Sequence, residues 1–295
     1  MARSIGLVMS DHIALGLVED ARVSDEILRY PPEGDSSDQI HGMPAEELVR
    51  VQADEIKALA EGEPVEAVGL AYPGIIRFGV IEESPNLSQL KGFHMEAAMH
   101  AALAARGIHA KIGISNDADV VAAGIAAQHD KLDQLVRVWT LGNGVGFGRY
   151  PAAPGVWEGG HMVVSLDPNE RFCGCGGIGH LESIMGHRAM RLRFLDMEPE
   201  EVFAAAKKGE DPRCVEFAIL WHRALAAATA SSIHMGGPGK FYISGPNARF
   251  VNLNFLNRCA QEMVKMSPLQ GYAFEVVPKT DAIAVLGAVV NALRG

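Results

Sequence analysis

Residues 158–161 read Glu-Gly-Gly-His, and residues 173–182 read Cys-Gly-Cys-Gly-Gly-Ile-Gly-His-Leu-Glu. Both blocks lie in a Gly-rich, irregular stretch from Pro151 to Gly179 that no helical or strand period organises. A run of that length is uncommon in a globular chain unless a ligand or a metal orders it. His161, Cys173, Cys175 and His180 offer the nitrogen and sulfur donors that zinc takes in tetrahedral sites. Gly174 lets the peptide between the two cysteines turn, so that both reach one ion. Four protein ligands close the coordination sphere, which predicts structural rather than catalytic zinc. The competing reading, a solvated loop with incidental Cys and His, leaves its length without an organiser.

Working outward, strands and helices mix throughout. Toward the N-terminus, 135–141 and 145–150 read as strands joined by Gly142-Asn143-Gly144, a hairpin turn. Before them, a strand at 108–115 meets a helix at 118–128 through Asn116-Asp117. A buried strand at 65–71 closes on Tyr72-Pro73-Gly74, a short strand follows at 75–81, and Ser84-Pro85-Asn86-Leu87 is a turn. Helices are predicted from Pro44 to about Ala60 and over 95–106. The N-terminus is a hairpin, with apolar runs 4–9 and 13–18 around the break Ser10-Asp11-His12. Toward the C-terminus, helices are predicted over 182–195, 199–207, 212–234 and 251–266, and from Asp281 to Arg294. Strands at 241–244 and 274–277 lie among them, the first leading into Gly245-Pro246-Asn247. The pattern is α/β.

Composition excludes several classes. The 295 residues carry a net charge of −10, and no basic run is longer than Lys207-Lys208, which argues against nucleic acid and anionic membranes. No stretch approaches the roughly 18 apolar residues of a membrane span. Residues 1–10 lack the apolar core and cleavage site of a secretory signal, and four cysteines are sparse, so a cytoplasmic chain with reduced thiols is expected.

Two further places carry candidate chemistry. Asp117 stands at the carboxyl edge of a strand, where α/β proteins bind ligands, and a carboxylate there can serve as general base to a hydroxyl. Its competing role is a helix cap. Residues 141–148 read Leu-Gly-Asn-Gly-Val-Gly-Phe-Gly, and such a turn can bring backbone N–H groups to a phosphate. A strand rather than a helix follows, so this is not a dinucleotide fingerprint, and a plain hairpin is the alternative.

Taken in order, these pieces resemble the ROK family of sugar kinases and sugar-responsive repressors. They are Pro73-Gly74, Ser84 to Leu87, Asn-Asp-Ala-Asp at 116–119, Leu-Gly-Asn-Gly-Val-Gly at 141–146, the two blocks around the Cys-rich loop, and Leu-Gly-Ala at 286–288. The resemblance implies an actin-like (ribonuclease H-like) fold of two α/β domains hinged at a cleft. The smaller would comprise 1–117 with 280–295 returning to it, and the larger 118–279. It implies a hexose or amino-sugar substrate, magnesium–ATP as phosphate donor, structural zinc and a homodimer. Asp117 matches the catalytic base, and Asn86, Asn116, Glu158, His161 and Glu182 match sugar contacts. Ser10, His12, Gly142, Asn143, Gly144 and Gly245 fall where the nucleotide would lie. His161 would serve both sugar and zinc.

The chain departs from the family pattern in three places. Where the family has Asp-x-Gly-Gly-Thr between its first two strands, this chain has Val8-Met9-Ser10-Asp11-His12, one residue shorter and without the glycines. Asn143 replaces a Thr, and His180 replaces the last Cys of the zinc block, a swap that zinc tolerates. The sugar and zinc halves are intact while the phosphate half is altered. An active ATP-dependent hexose kinase is the first expectation. A sugar-binding sensor that no longer turns over ATP is the second. No helix-turn-helix precedes the first strand, which argues against direct DNA binding.

Overall fold

The structure is a computed structural model. It describes residues 3–10, 12–32, 38–152, 155, 158–278 and 280–294. Asp11, part of the expected phosphate loop, lies outside them.

The chain forms two compact units. The first comprises Met1–Val136, Gly148–Val156 and Thr280–Gly295. Its sheet begins with the antiparallel strands β1 (Arg3–Met9) and β2 (Ile13–Glu19), followed by β3 (Arg22–Val23) and β4 (Leu28–Tyr30), which both pair with β2. Helices α1 (Asp38–His41) and α2 (Ala45–Ala60) lead to β5 (Ala67–Tyr72), which lies parallel to β1. A small hairpin of β6 (Ile75–Arg77) and β7 (Val80–Glu83), then α3 (Met95–Ala104), leads to β8 (Lys111–Asn116), parallel to β5. The six-stranded sheet runs β3-β2-β1-β5-β8 with β4 on β2. Helix α4 (Asp117–Gln128) follows β8 directly.

One face of this sheet is covered by apolar side chains. Leu48, Ala53 and Ile56 of α2 and Met95, Met99 and Leu103 of α3 are buried with Ile5, Leu7, Val68 and Leu70. The other face is shaped by glycine. Gly6, Gly69 and Gly113 pair in register across β1, β5 and β8. A Cβ at Gly6 would lie 2.2 Å from Val285 O, and one at Gly69 would lie 2.1 Å from Ala288 O. Three glycines in a row thus cut a groove in which α10 (Asp281–Arg294) lies backbone to backbone. Helix α4 meets α10 just as closely, since a Cβ at Gly124 would lie 1.9 Å from Ile283 O. The sequence reading begins the second domain at 118. In the structure α4 stays in the first unit, because α10 packs along it.

The turn between β2 and β3 places Asp20 at φ 50° and Ala21 at φ 59°. A two-residue hairpin turn of this hand suits Gly, and an L-residue with a side chain costs about 1–2 kcal/mol there. Ala21→Gly is expected to stabilise the chain by about 0.5–1 kcal/mol after the greater freedom of Gly in the unfolded chain is subtracted. A higher urea midpoint at unchanged slope is the check.

The second unit comprises Arg137–Phe147 and Trp157–Lys279. Its sheet runs in the order β10 (Val145–Tyr150), β9 (Val136–Leu141), β11 (Lys240–Ser244), β12 (Ala273–Val276), with β9, β11 and β12 parallel. Helices α5 (Leu181–Met185), α6 (His187–Arg193), α7 (Pro199–Lys208), α8 (Pro212–Gly236) and α9 (Leu253–Met263) complete it. Trp139, Leu141, Trp221, Leu225, Phe241, Ile243 and Leu256 are core residues. The Trp139 indole N–H donates to Thr229 Oγ1 at 3.1 Å inside that core. Helix α8 opens as its sequence predicts, with Pro212 in its first turn and Asp211 accepting from Arg213 N–H.

The structure revises one predicted helix. Residues 182–195 are not continuous, because Gly186 is extended (φ −64°, ψ 139°) and separates α5 from α6. The break lets His187 N–H donate to Gly142 O at 2.9 Å. The strand expected at 75–81 is likewise a hairpin, turning at Phe78-Gly79.

Candidate active site and metal centre

In the first unit, three loops converge at the carboxyl ends of β5 and β8. Asn116 is the N-cap of α4: its Oδ1 accepts from Ala118 N–H at 2.8 Å, and its Nδ2 donates to Gly74 O at 2.8 Å. The loop carrying Asn86 is tied to the same place by Ser84 Oγ, which donates to Pro73 O at 2.8 Å. Gly74 is obligatory here, because φ is 110° and a Cβ would lie 2.0 Å from Glu83 O. Asn86 itself is exposed. Asp117 is the first residue of α4 and its Oδ1 also accepts from Ala118 N–H, at 3.0 Å. Capping is therefore shared, and Asn116 supplies it at the better geometry. Two residues on, Asp119 accepts from Arg149 N–H at 2.9 Å, a bond that pins α4 to β10.

In the second unit, the four sulfur and nitrogen donors come together. One donor atom each from His161, Cys173, Cys175 and His180 lies within 4.8 Å of the others. The two thiols are 3.3 Å apart, and Cys175 Sγ is 3.3 Å from His180 Nδ1. Zinc bonds of about 2.3 Å to sulfur and about 2.0–2.1 Å to nitrogen put tetrahedral donors some 3.4–3.8 Å apart. The residues fit the ion in number, type and spacing. His161 also pairs through Nδ1 with Glu158 Oε2 at 3.4 Å, the carboxylate–histidine arrangement that orients a metal ligand. The His161 pKa is pushed up to about 10, first by its hydrogen bond with Cys173 and then by that with Glu158. Burial pushes His180 down and the Cys173 thiol up.

A buried ion pair anchors the loop. Glu170 is 5% exposed, accepts from Ser183 Oγ at 3.1 Å and pairs with Arg193 of α6. The Arg193 guanidinium also lies 4.7 Å from the Phe172 ring centre. Breaking such a pair strands a buried charge, so Glu170→Ala is expected to cost about 3–5 kcal/mol, measured by urea denaturation.

Glu182, a predicted sugar contact, faces two ways. Its Oε2 accepts from Val145 N–H at 3.1 Å, and its Oε1 receives the Cys173 thiol at 3.3 Å. The turn 142–144 thus touches the metal loop through this carboxylate. Two residues that the sequence did not flag hold the turn from the other side. Asn247, fully buried just after Gly245, donates from Nδ2 to Gly142 O at 3.0 Å. His187 Nδ1 lies 3.4 Å from Asn247 Oδ1. Gly245 (φ 100°) sits against β9, where a Cβ would lie 2.4 Å from Leu141 O. The two glycine turns that were read separately therefore form one edge, at the carboxyl ends of the parallel strands β9 and β11. Only the Gly-Pro-Asn triplet hinted at Asn247, and nothing local marks His187.

Beside this edge, a groove of about 580 Å³ lies among α7, α8, α9 and residues 249–252. Phe203 and Phe250 stack within it at 4.3 Å, and Lys207, Arg249 and Arg258 line it against the single carboxylate Glu200. Three of its polar side chains are already engaged: Arg249 pairs with Glu200, and buried His222 accepts from Asn252 N–H at 2.9 Å.

In the N-terminal hairpin Ser10 closes the turn on itself, its N–H donating to His12 O at 2.9 Å. His12 Nε2 lies 3.2 Å from Asp281 Oδ2 at the start of α10, and Arg29 donates to the same oxygen at 2.9 Å. These two partners, His12 first, hold the Asp281 carboxyl below its ordinary range.

Among the described residues no helix is long and apolar enough to cross a membrane. Comparisons with known proteins agree on kinship. A profile of the ROK family matches residues 37–294, beginning after the N-terminal hairpin. A glucokinase from Thermotoga maritima is 26% identical over 93% of this chain and 92% of its own. One from Pyrobaculum calidifontis is 26% identical over 81% of this chain and 83% of its own. The ROK hexokinase of Thermus thermophilus superposes with a TM-score of 0.73 at 23% identity, covering 99% of this chain and 98% of that one. A Streptomyces griseus ROK glucokinase solved with glucose and AMPPNP gives 0.71 at 21%, covering 100% of both. The fold they share is actin-like α/β. With a profile match over residues 37–294, this chain belongs to the ROK family.

Proposed function

We propose that this protein is an ATP-dependent kinase of a hexose or amino sugar, with structural zinc in its Cys–His loop. The observation that carries the reading is the junction of β8 and α4. Asn116 caps the helix and clamps Gly74, and beside it the Asp117 carboxylate, which shares the cap, stands at the strand's carboxyl edge. Glucokinases similar over nearly the whole chain support it.

Asp117 is the general base. It accepts the proton of the sugar hydroxyl as that oxygen forms its bond to the γ-phosphorus, and the bond from phosphorus to the β–γ bridging oxygen breaks, releasing ADP. Asn86, Asn116, Glu158, His161 and Glu182 are the sugar contacts that the resemblance implies. His161, Cys173, Cys175 and His180 would hold zinc, which when bound fixes the loop that presents Glu158 and His161. The turn Gly142-Asn143-Gly144 and Gly245 contact the donor's phosphates, and Ser10 and His12 are further phosphate contacts that the resemblance implies. The aromatic groove beside Gly245 suits the donor's purine base, since its rings offer stacking and its cations offset negative charge. A cytoplasmic homodimer is the setting that the resemblance implies, and sedimentation reads its mass.

Phe203→Ser should therefore raise KM for ATP about tenfold while leaving KM for the sugar within about twofold, since one stacking contact is worth roughly 1–3 kcal/mol. Inorganic polyphosphate serving equally well in wild type and variant would instead show a donor without a base. The sensor reading is favoured by one observation, the engagement of His12 and Arg29 by Asp281 where the family's phosphate loop stands. Calorimetry with glucose, mannose and N-acetylmannosamine, run beside an assay of transfer from magnesium–ATP, separates the two. Transfer to any of them supports the kinase, and binding without transfer supports the sensor.

A further inference from the structure

We infer that Glu182 is a positioning residue that ties the Cys–His loop to the glycine turn at 142–145, so that filling the metal site orders that turn. This rests on the reading of the loop as a metal site and of the turn as a donor contact.

Segment 182–188 holds the turn together with Asn247, which donates from Nδ2 to Gly142 O at 3.0 Å. Glu182 Oε2 takes Val145 N–H at 3.1 Å, His187 N–H donates to Gly142 O at 2.9 Å, and Arg188 N–H donates to Asn143 O at 3.4 Å. Both flanking glycines are shaped around this contact. A Cβ at Gly144 would lie 2.4 Å from Glu182 Oε2, and one at Gly186 would lie 2.8 Å from Asn143 O and 3.2 Å from Glu182 Cγ. The extended Gly186 that splits α5 from α6 is what lets the segment press on the turn with its side chain and its backbone together.

The same segment is bound to the metal loop by two routes. His180, a donor of the site, lies two residues before Glu182, and Glu182 Oε1 meets the Cys173 thiol at 3.3 Å. When an ion draws Cys173, Cys175, His161 and His180 to one centre, Cys173 gives up its thiol proton and with it the bond to Glu182 Oε1, and His180, two residues before Glu182, fixes the start of α5 and with it the direction of the Glu182 side chain. Without the ion, backbone bonds still hold Gly179 to Glu170 O at 2.8 Å and Leu181 to Met162 O at 2.9 Å, but among hydrogen bonds within the donor set the His180 ring is tied to the loop only through its 3.3 Å contact with Cys175 Sγ. A sugar contact by Glu182 and the anchoring of Val145 then belong to one side chain, which would place acceptor and donor sites under common control of the loop.

Hydrogen–deuterium exchange of the full chain over 141–147 tests the inference without relying on turnover. Zinc-loaded wild type should show slow exchange there, and stripping with a chelator should speed it about tenfold, the worth of one charge-assisted hydrogen bond. Glu182→Ala should exchange fast with or without zinc. Glu182→Gln retains an acceptor for Val145 N–H and should recover both protection and the response to zinc. Gly144→Ala leaves the charge untouched but crowds Oε2, and it should mimic Glu182→Ala. Thermal melts confirm that each variant is folded. Exchange at 141–147 that ignores zinc while 173–180 responds, or a zinc response that persists in Glu182→Ala, overturns the inference. If zinc does not bind at all, the metal reading fails, and the metal-free comparison of wild type with Glu182→Ala still decides whether this carboxylate holds the turn. Absence of phosphate transfer in wild type would bear on the kinase reading and leave this result unaffected.

Discussion

Asp117→Asn is expected to lower kcat for phosphate transfer by about 10²–10⁴-fold, the usual worth of a positioned general base. Sugar binding should change little, because the amide retains a hydrogen-bond acceptor and nearly the same volume. The fold should hold as well, because Asn116 caps α4 and Asp119 pins it to Arg149 N–H. Asp119→Asn makes the internal comparison. It weakens a structural bond next door and should cost stability without a comparable loss of kcat. A variant at 117 that retains most of its rate would remove Asp117 from the chemistry, whatever its place at the strand's edge.

The second large effect concerns the metal. Cys175→Ser should reduce zinc from about one ion per chain to none after dialysis, and lower the melting temperature by the binding energy that couples metal to folding. Cys175 is the informative ligand because it is exposed and, apart from a bond accepted from Gly177 N–H, its contacts are to other members of the site, so its loss is not confounded by a core cavity. The sign of the pH dependence follows from His161. In the metal-free loop its pKa is raised to about 10, so at neutral pH it carries a proton that zinc must displace. Zinc affinity should therefore climb as pH rises toward 10 and fall on acidification. Without metal the sign reverses. A raised histidine stabilises the loop fully below the ordinary histidine range, and that contribution is lost as pH rises through about 10.

What could be read from the chain followed local chemistry. The glycines and donors of 158–182 announced a loop that needs an organiser, and the four donors do meet. Strands 108–115 and 241–244, each running into a polar or glycine turn, announced the sheet edges, and the structure places β8 and β11 there. What could not be read depends on partners far away in sequence. Gly6, Gly69 and Gly113 are unremarkable singly, and only their shared register reveals the groove that seats α10. Residues 182–195 have continuous helical composition, and the break at Gly186 exists because the turn at 142–144 claims the N–H groups of His187 and Arg188. The contact of His12 with Asp281, 269 residues away, leaves no local trace.

The central claim is phosphoryl transfer, and the most direct measurement uses magnesium–ATP labelled in its γ-phosphate with a panel of hexoses and amino sugars, zinc-loaded wild type beside Asp117→Asn. The account predicts label in one sugar phosphate from wild type and its near disappearance in the variant. Sugar binding with no label transferred, or equal transfer by both proteins, would contradict it.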